Sequence, residues 1–219
     1  MIHVQHFVFN DFMENTYILW DETKSCVIID PGCNSPAERN DLLQFIQGNN
    51  LEPVFLLNTH CHIDHVLGNK WVKETFKVDL LLHKKEEVVL QTLESVGKMY
   101  GVFVEVSPAP DRYVEAGEKV TFGNSSLSVF FTPGHSPGSI SFYSEADKLV
   151  ISGDILFQSS IGRTDLPGGS YQQLMQSIFD NLMTLPEDTI VYSGHGPATT
   201  IGEEKRNNPF VLEYAATIK

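Results

Sequence analysis

Short apolar runs separated by turn residues dominate the first thirty positions. Residues 4–9, 16–20 and 26–29 are rich in β-branched and aromatic side chains, which predicts three strands. Asp30-Pro31-Gly32 closes the third strand with a turn. Ser35 then reads as a helix N-cap, with Pro36 at the first helical position and Glu38 completing a capping box. Leu42, Leu43, Phe45 and Ile46 give that helix an apolar face, and Gly48 stops it. Residues 54–57 form a continuous apolar strand of the kind buried on both faces. A helix over about 67–76, a strand over 80–82 and one long helix over 84–100 follow. Pro108 and Pro110 mark a loop. From Gly117 to Leu156 the signals are strands and turns, with strands at 127–131, 139–143 and 149–152. A helix over 170–183, a last strand over 189–192 and a short helical tail from about 200 to 219 complete the pattern.

Composition bounds what such a chain does. With 219 residues, 42% hydrophobic and 20% charged, it suits one sizeable α/β domain with a real core, spanning 1–219 with the tail attached. No apolar run approaches the length of a membrane span. The start lacks a basic segment followed by a long apolar stretch, so a cytoplasmic protein is expected. The formal net charge of -13 and the lack of any basic run exclude nucleic acid as an expected partner. Cys26, Cys33 and Cys61 are odd in number and form no C-x-x-C pair, which fits a reducing compartment without a disulfide framework.

Candidate chemistry is concentrated after the buried strand at 54–57, in Thr59-His60-Cys61-His62-Ile63-Asp64-His65. His60, His62, Asp64 and His65 can all ligate a divalent metal, as neutral imidazole or carboxylate. Alternation in an extended loop aims His60, His62 and Asp64 the same way, and His65 turns toward them at the helix entry. Cys61 then points away, as a packed thiol. Three further candidates each follow a strand and sit in a glycine-containing turn. They are His135 in Thr-Pro-Gly-His, Asp154 in Ser-Gly-Asp, and His195 in Ser-Gly-His-Gly. Strand-end loops are where α/β scaffolds place reactive groups. His3, His6 and His83 lack that context and read as ordinary histidines. Asp30 is a candidate acceptor for the second nitrogen of a ligand histidine.

At these residues the chain resembles the metallo-β-lactamase superfamily, and within it the glyoxalase II-like branch. The likeness runs over nearly the whole chain and is nearest to the short, type II bacterial hydroxyacylglutathione hydrolases. It implies a four-layer αββα sandwich holding two divalent metal ions, zinc foremost, with iron or manganese as alternatives. By that resemblance His60, His62 and His135 hold one metal, while Asp64, His65 and His195 hold the other. Asp154 bridges them. It further implies thioester hydrolysis, S-D-lactoylglutathione foremost, by a metal-bridging hydroxide, with Asp64 and Asp154 as catalytic groups. The best-known β-lactamases of the superfamily carry Cys or Ser where Asp154 stands, so a β-lactam substrate is not expected.

The substrate side matches less well. Arg163 stands where longer glyoxalase II enzymes have a glutathione-binding lysine, Asp165 where they have a tyrosine, and Pro197 where they have a second tyrosine. Asn208-Pro209-Phe210 matches the family's N-P-F motif, but the basic residues that follow it there are absent. Arg163, Lys205, Arg206 and Asn208 are the candidate contacts to a small, glutathione-like thioester. Tyr100 and Phe157 read as core aromatics more readily than as pocket lining. Two rival readings stand beside the hydrolase. One is a persulfide dioxygenase using a single iron on His60, His135 and Asp154. The other is a non-catalytic metal-binding protein.

Overall fold

In the computed structural model, which describes residues 1–218, two sheets stack face to face and helices cover both outer surfaces. The first sheet has the order β1 (His3–Phe9), β2 (Glu14–Trp20), β3 (Ser25–Ile29), β4 (Glu52–Leu57), β5 (Asp79–Leu82) and β6 (Arg112–Tyr113). Strands β1 to β3 meander antiparallel, and β3 to β6 run parallel. The parallel pairs require crossovers, and helices supply them. Helix α1 (Pro36–Gly48) links β3 to β4. Helices α2 (Ile63–Val66) and α3 (Asn69–Phe76) link β4 to β5. Helices α4 (Glu87–Leu90) and α5 (Leu93–Tyr100) lie between β5 and β6.

The second sheet holds β7 (Lys119–Phe122), β8 (Ser125–Phe131), β9 (Ile140–Ser144), β10 (Leu149–Gly153), β13 (Ile190–Ser193) and β14 (Thr199–Thr200), in the order β14-β13-β10-β9-β8-β7. A small hairpin of β11 (Leu156–Phe157) and β12 (Ser160–Ile161) follows β10. Helices α6 (Tyr171–Asp180), α7 (Ile201–Asn207) and α8 (Pro209–Thr217) cover this sheet.

Alternation along the strands explains the layering. In β3, Val27 and Ile29 face the second sheet and join Leu57, Phe122, Val129, Phe142 and Ile151 between the sheets. Cys26 and Ile28 point the other way, into a cluster with Leu42 and Ile46 of α1 and Val72 of α3. Val150 and Val191 meet Leu174, Ile178, Ile201 and Val211 on the far side. Every central strand is thus buried on both faces, as the apolar run at 54–57 predicted. Full burial of each such side chain contributes roughly 1.5–3 kcal/mol.

Three expectations differ from the structure. The helix expected over 84–100 is interrupted. A 3-10 turn at Lys84–Glu86 leads into α4, and the chain breaks at Gln91 and Thr92 before α5. The Thr92 hydroxyl donates to Val89 O at 2.7 Å, a side-chain bond that competes with helix continuation. Asp64 does not lie in an extended loop, because α2 begins at Ile63 with His62 at its N-cap. The tail is two helices that dock on the second sheet through Ile201 and Val211. No helix among the described residues is long and apolar enough to cross a membrane.

Candidate metal centre

The loops that follow β4, β8, β10 and β13 bring their side chains to one place. Residues far apart in sequence therefore converge. Asn15 and Tyr17 of β2 hold the His195 loop: the Asn15 backbone N–H donates to Gly194 O at 2.7 Å, and the Tyr17 hydroxyl to Ser193 O at 2.6 Å. Gly194 is required at its position, since a Cβ there would overlap the Asp154 carboxylate and the His65 ring.

Seven side chains meet. His62 Nδ1 lies 2.8 Å from His135 Nε2, which lies 3.2 Å from His60 Nε2. His195 Nε2 is 3.1 Å from Asp64 Oδ2, and His65 Nε2 is 3.6 Å from the same oxygen. Asp154 stands between the two groups. Its Oδ2 is 3.5 Å from both His135 Nε2 and His195 Nε2, and its Oδ1 is 3.4 Å from His65 Nε2. His60, His62 and His135 form one grouping able to hold an ion, and Asp64, His65 and His195 another.

The outward nitrogens fix the tautomers. Thr59 Oγ1 donates to Asp30 Oδ2 at 2.5 Å and lies 3.1 Å from His60 Nδ1, whose proton it can accept. His65 Nδ1 is 3.1 Å from Asp30 Oδ2. His135 Nδ1 faces Arg163 O at 2.8 Å, and His195 Nδ1 faces Met13 O at 3.2 Å. Each of these Nδ1 atoms faces an oxygen that can take its proton, which leaves Nε2 as the nitrogen turned to the centre. Asp30 adopts a left-handed backbone (φ 49°) that brings its carboxylate under both histidines. Its expected role as a histidine acceptor matches this geometry.

These groups fit divalent ions. Three imidazole lone pairs converging within 3.2 Å repel one another unless a cation lies between them. His65 Nε2 and Asp154 Oδ1 are buried and make no hydrogen bond within the protein, an arrangement that costs about 1–3 kcal/mol per group without a partner. Burial drives His60 well below the usual imidazole range. Burial, then His135, pushes His62 down to about 3. Burial also lowers His135. Burial would lower His65 too, but the Asp154 and Asp64 carboxylates raise it well above its ordinary value. Burial acts against His195 in the same way, and its bond to Asp64 raises it. Burial would raise Asp154, yet His65, His135 and His195 hold it far below the usual carboxylate range.

Two carboxyls that sequence reasoning passed over support the centre. Glu86 is fully buried at the start of the α4 segment. Its Oε2 accepts the Cys61 backbone N–H at 2.7 Å, and its Oε1 accepts Ser136 Oγ–H and the Gly138 backbone N–H, both at 2.6 Å. It thus ties the loop carrying His60 and His62 to the loop carrying His135. Glu14 is fully buried beside His65, with Nδ1 at 4.0 Å from Oε1. Burial holds its carboxyl well above the usual range. Neither residue stands in a motif: Glu86 follows Lys84-Lys85 and Glu14 precedes Asn15-Thr16, polar surroundings that give no local signal of burial.

A cavity of about 950 Å³ opens over the centre, with His62, Asp64, His135, Asp154 and His195 on its floor. Arg163, Tyr100 and Phe157 line it, so these two aromatics are pocket residues rather than core. Phe157 meets the His195 ring edge-on at 6.3 Å. The structure does not bring the other three substrate candidates there. Asn208 is fully buried, caps α8 and donates to Ser160 O at 2.9 Å. Arg206 pairs with Glu187, and Lys205 Nζ donates to Leu185 O at 3.3 Å. All three serve α7 and α8 on the far face of the second sheet. Cys61 is buried in the outer core, and His83 bonds to Glu115, as expected of residues outside the ligand set.

Comparison with known proteins agrees with this geometry. The family model of the metallo-beta-lactamase superfamily matches residues 9–195. A probable metallo-hydrolase, YqgX of Bacillus subtilis (strain 168), is 42% identical over 199 residues, covering 90% of this chain and 92% of that protein. Hydroxyacylglutathione hydrolase GloC of Haemophilus influenzae is 38% identical over 202 residues, covering 91% and 93%. Among solved structures, BLEG-1 B3 metallo-beta-lactamase superposes with a TM-score of 0.88 at 38% identity, covering 95% of this chain and 99% of that one. TTHA1623 in a di-iron-bound form gives 0.85 at 35% identity, covering 94% and 99%.

Proposed function

Because the chain belongs to the metallo-β-lactamase superfamily, we propose that it is a two-metal hydrolase of acyl thioesters, with S-D-lactoylglutathione as the first substrate to test. The observation that carries this reading is the complete set of seven ligating side chains, with Asp154 between the two groupings. The 38% identity to a hydroxyacylglutathione hydrolase supports the thioester as the bond attacked.

His60, His62 and His135 would hold one ion, Asp64, His65 and His195 the other, and Asp154 both. Divalent ions bound there polarise a carbonyl and activate water near neutral pH. Zinc suits so imidazole-rich a set, and iron is the alternative that elemental analysis separates. Asp64 offers a carboxylate oxygen on the cavity floor, 3.1 Å from His195 Nε2, where it orients a water and accepts its proton. Asp30 holds the His65 ring, and through Thr59 the His60 ring, so neither rotates as charge develops. Phe157 and Tyr100 narrow the approach and exclude bulk water.

The test is hydrolysis of S-D-lactoylglutathione by purified protein, with metal content measured on the same preparation. Two metals per chain and thioester turnover are expected. One iron per chain with oxygen uptake on glutathione persulfide would replace this reading with the dioxygenase one. Two metals with no turnover of any thioester would leave the non-catalytic role. The likeness to BLEG-1 gives a second reading, β-lactam hydrolysis, which a chromogenic cephalosporin tests in parallel.

A further inference from the structure

The cavity has two unlike parts. Its floor carries the ligating side chains, and its wall is built by α4 and α5 with Phe12 from the β1–β2 turn. That wall is apolar: Val89, Val96, Met99, Tyr100, Phe12 and Phe157 line it. Phe12 and Tyr100 stack edge to face at 5.5 Å across the mouth. Met99 is 71% exposed and Tyr100 48%, unusual for large apolar side chains clustered beside a cavity.

The polar groups on this wall are already engaged. Thr92 Oγ1 donates to Val89 O, and Ser95 Oγ to Thr92 O, both at 2.7 Å. Both hydroxyls face their own helix and leave the surface apolar. Arg163, the one cation lining the cavity, is held by both oxygens of Asp165, Nε–Oδ1 at 2.7 Å and a terminal guanidinium nitrogen to Oδ2 at 2.8 Å. A thiol carrier such as glutathione presents two carboxylates, and the one cation among the described lining residues is shared with Asp165. The break at Gln91 and Thr92 divides the expected long helix into α4 and α5, and both segments contribute apolar side chains to the cavity lining.

We propose that the α4–α5 wall is an acyl pocket, and that the preferred substrates carry an apolar acyl group, a medium alkyl chain or an aryl ring, on the thioester carbonyl. This rests on the thioester reading above. With the carbonyl over Asp64 and Asp154, the acyl substituent lies along Val96 and Met99 while the thiol carrier faces solvent. Selectivity then comes from apolar burial of the acyl chain, and the carrier contributes little.

The test uses metal-loaded protein and glutathione thioesters that differ only in the acyl group: lactoyl, acetyl, butanoyl, hexanoyl and benzoyl. The expected result is a kcat/KM that rises about two- to fourfold per added methylene, the range set by partial to full burial of each group. Val96→Asp should flatten the series. Met99→Asp, at an exposed position where folding is not at stake, should flatten it too. A series that is flat or falls with chain length in the unsubstituted protein overturns the acyl pocket and leaves the thioesterase standing. If no thioester is turned over, the hydrolase reading fails, and the pocket is judged by calorimetry with the free acids. Hexanoate binding more tightly than lactate, with a negative heat-capacity change, supports the pocket; equal binding sinks it.

Discussion

His60, His62 and His135 meet as three imidazoles that burial keeps neutral, while His65 and His195 lie among Asp64, Asp154 and, for His65, Asp30 and Glu14. One half of the centre offers lone pairs without charge; the other offers negative charge that protons occupy when no metal does. Their supports differ as well. The first half is braced by Thr59, by Glu86 and by the Arg163 carbonyl. The second hangs on Asp30 and on the carbonyl of Met13. Two ions in adjacent seats would therefore be held by different physics: the first by nitrogen donors in a fixed geometry, the second mainly by charge. Asp154 is the element they share.

Stripping both ions with a chelator should have the largest effect. Thioester hydrolysis is expected to vanish, and the melting temperature should fall because the ions bind only the folded chain. Differential scanning calorimetry before and after re-addition checks this. Asp154→Ala removes the shared oxygens, so its cost should exceed about 100-fold in kcat/KM, more than the loss of a residue that only orients a ligand. Full activity in that variant would show that Asp154 is not part of the working centre.

The next pair of variants separates the halves. Asp30→Asn touches both histidine supports, whereas Thr59→Val touches only His60. Competition with a chromophoric chelator should show both affinities reduced about 10- to 100-fold by the first change and one by the second. Glu86→Gln should weaken only the half held by His60, His62 and His135, by roughly 10-fold. Gln presents one acceptor oxygen where the carboxylate uses two. Equal loss at both halves would mean a general loosening of the fold.

The smallest effect is a proton count. In the metal-free protein the Asp154 and Asp64 carboxylates raise the pKa of His65 and the bond to Asp64 raises that of His195, so metal entering that half competes with protons up to a higher pH than at the other half. His62, pushed down to about 3, has none to give. Titration calorimetry in buffers of different ionisation enthalpy should show one proton-releasing step and one without release. Affinity at the His65 and His195 half should fall first as the pH drops below neutral.

Much of this centre was legible before any coordinates. A histidine and aspartate motif directly after a buried apolar strand, and three further candidates in glycine turns after strands, are local signals. Their chemistry does not depend on the rest of the fold. Arg163 was legible as a cation but not as half of an ion pair with Asp165, because a two-residue spacing does not say which way either side chain turns. Lys205, Arg206 and Asn208 sit in a segment with the right family motif, yet α7 and α8 carry them to the outer face of the second sheet. Tyr100 has the composition of a core residue and is exposed at a cavity mouth because α5 begins anew after Thr92.

By itself the sequence determined which residues can bind metal, the strand alternation that stacks two sheets between helices, and the capping box that starts α1 at Pro36. Those follow from side-chain chemistry and from periods of two and 3.6, which are properties of short segments. Only the tertiary structure decided which nitrogen of each histidine faces inward and at what distances the seven side chains meet. It alone brought Glu86 and Glu14 beside the centre and made the cavity wall apolar. These are contacts between residues tens to hundreds of positions apart, set by how the loops after β4, β8, β10 and β13 converge, and no local pattern encodes them.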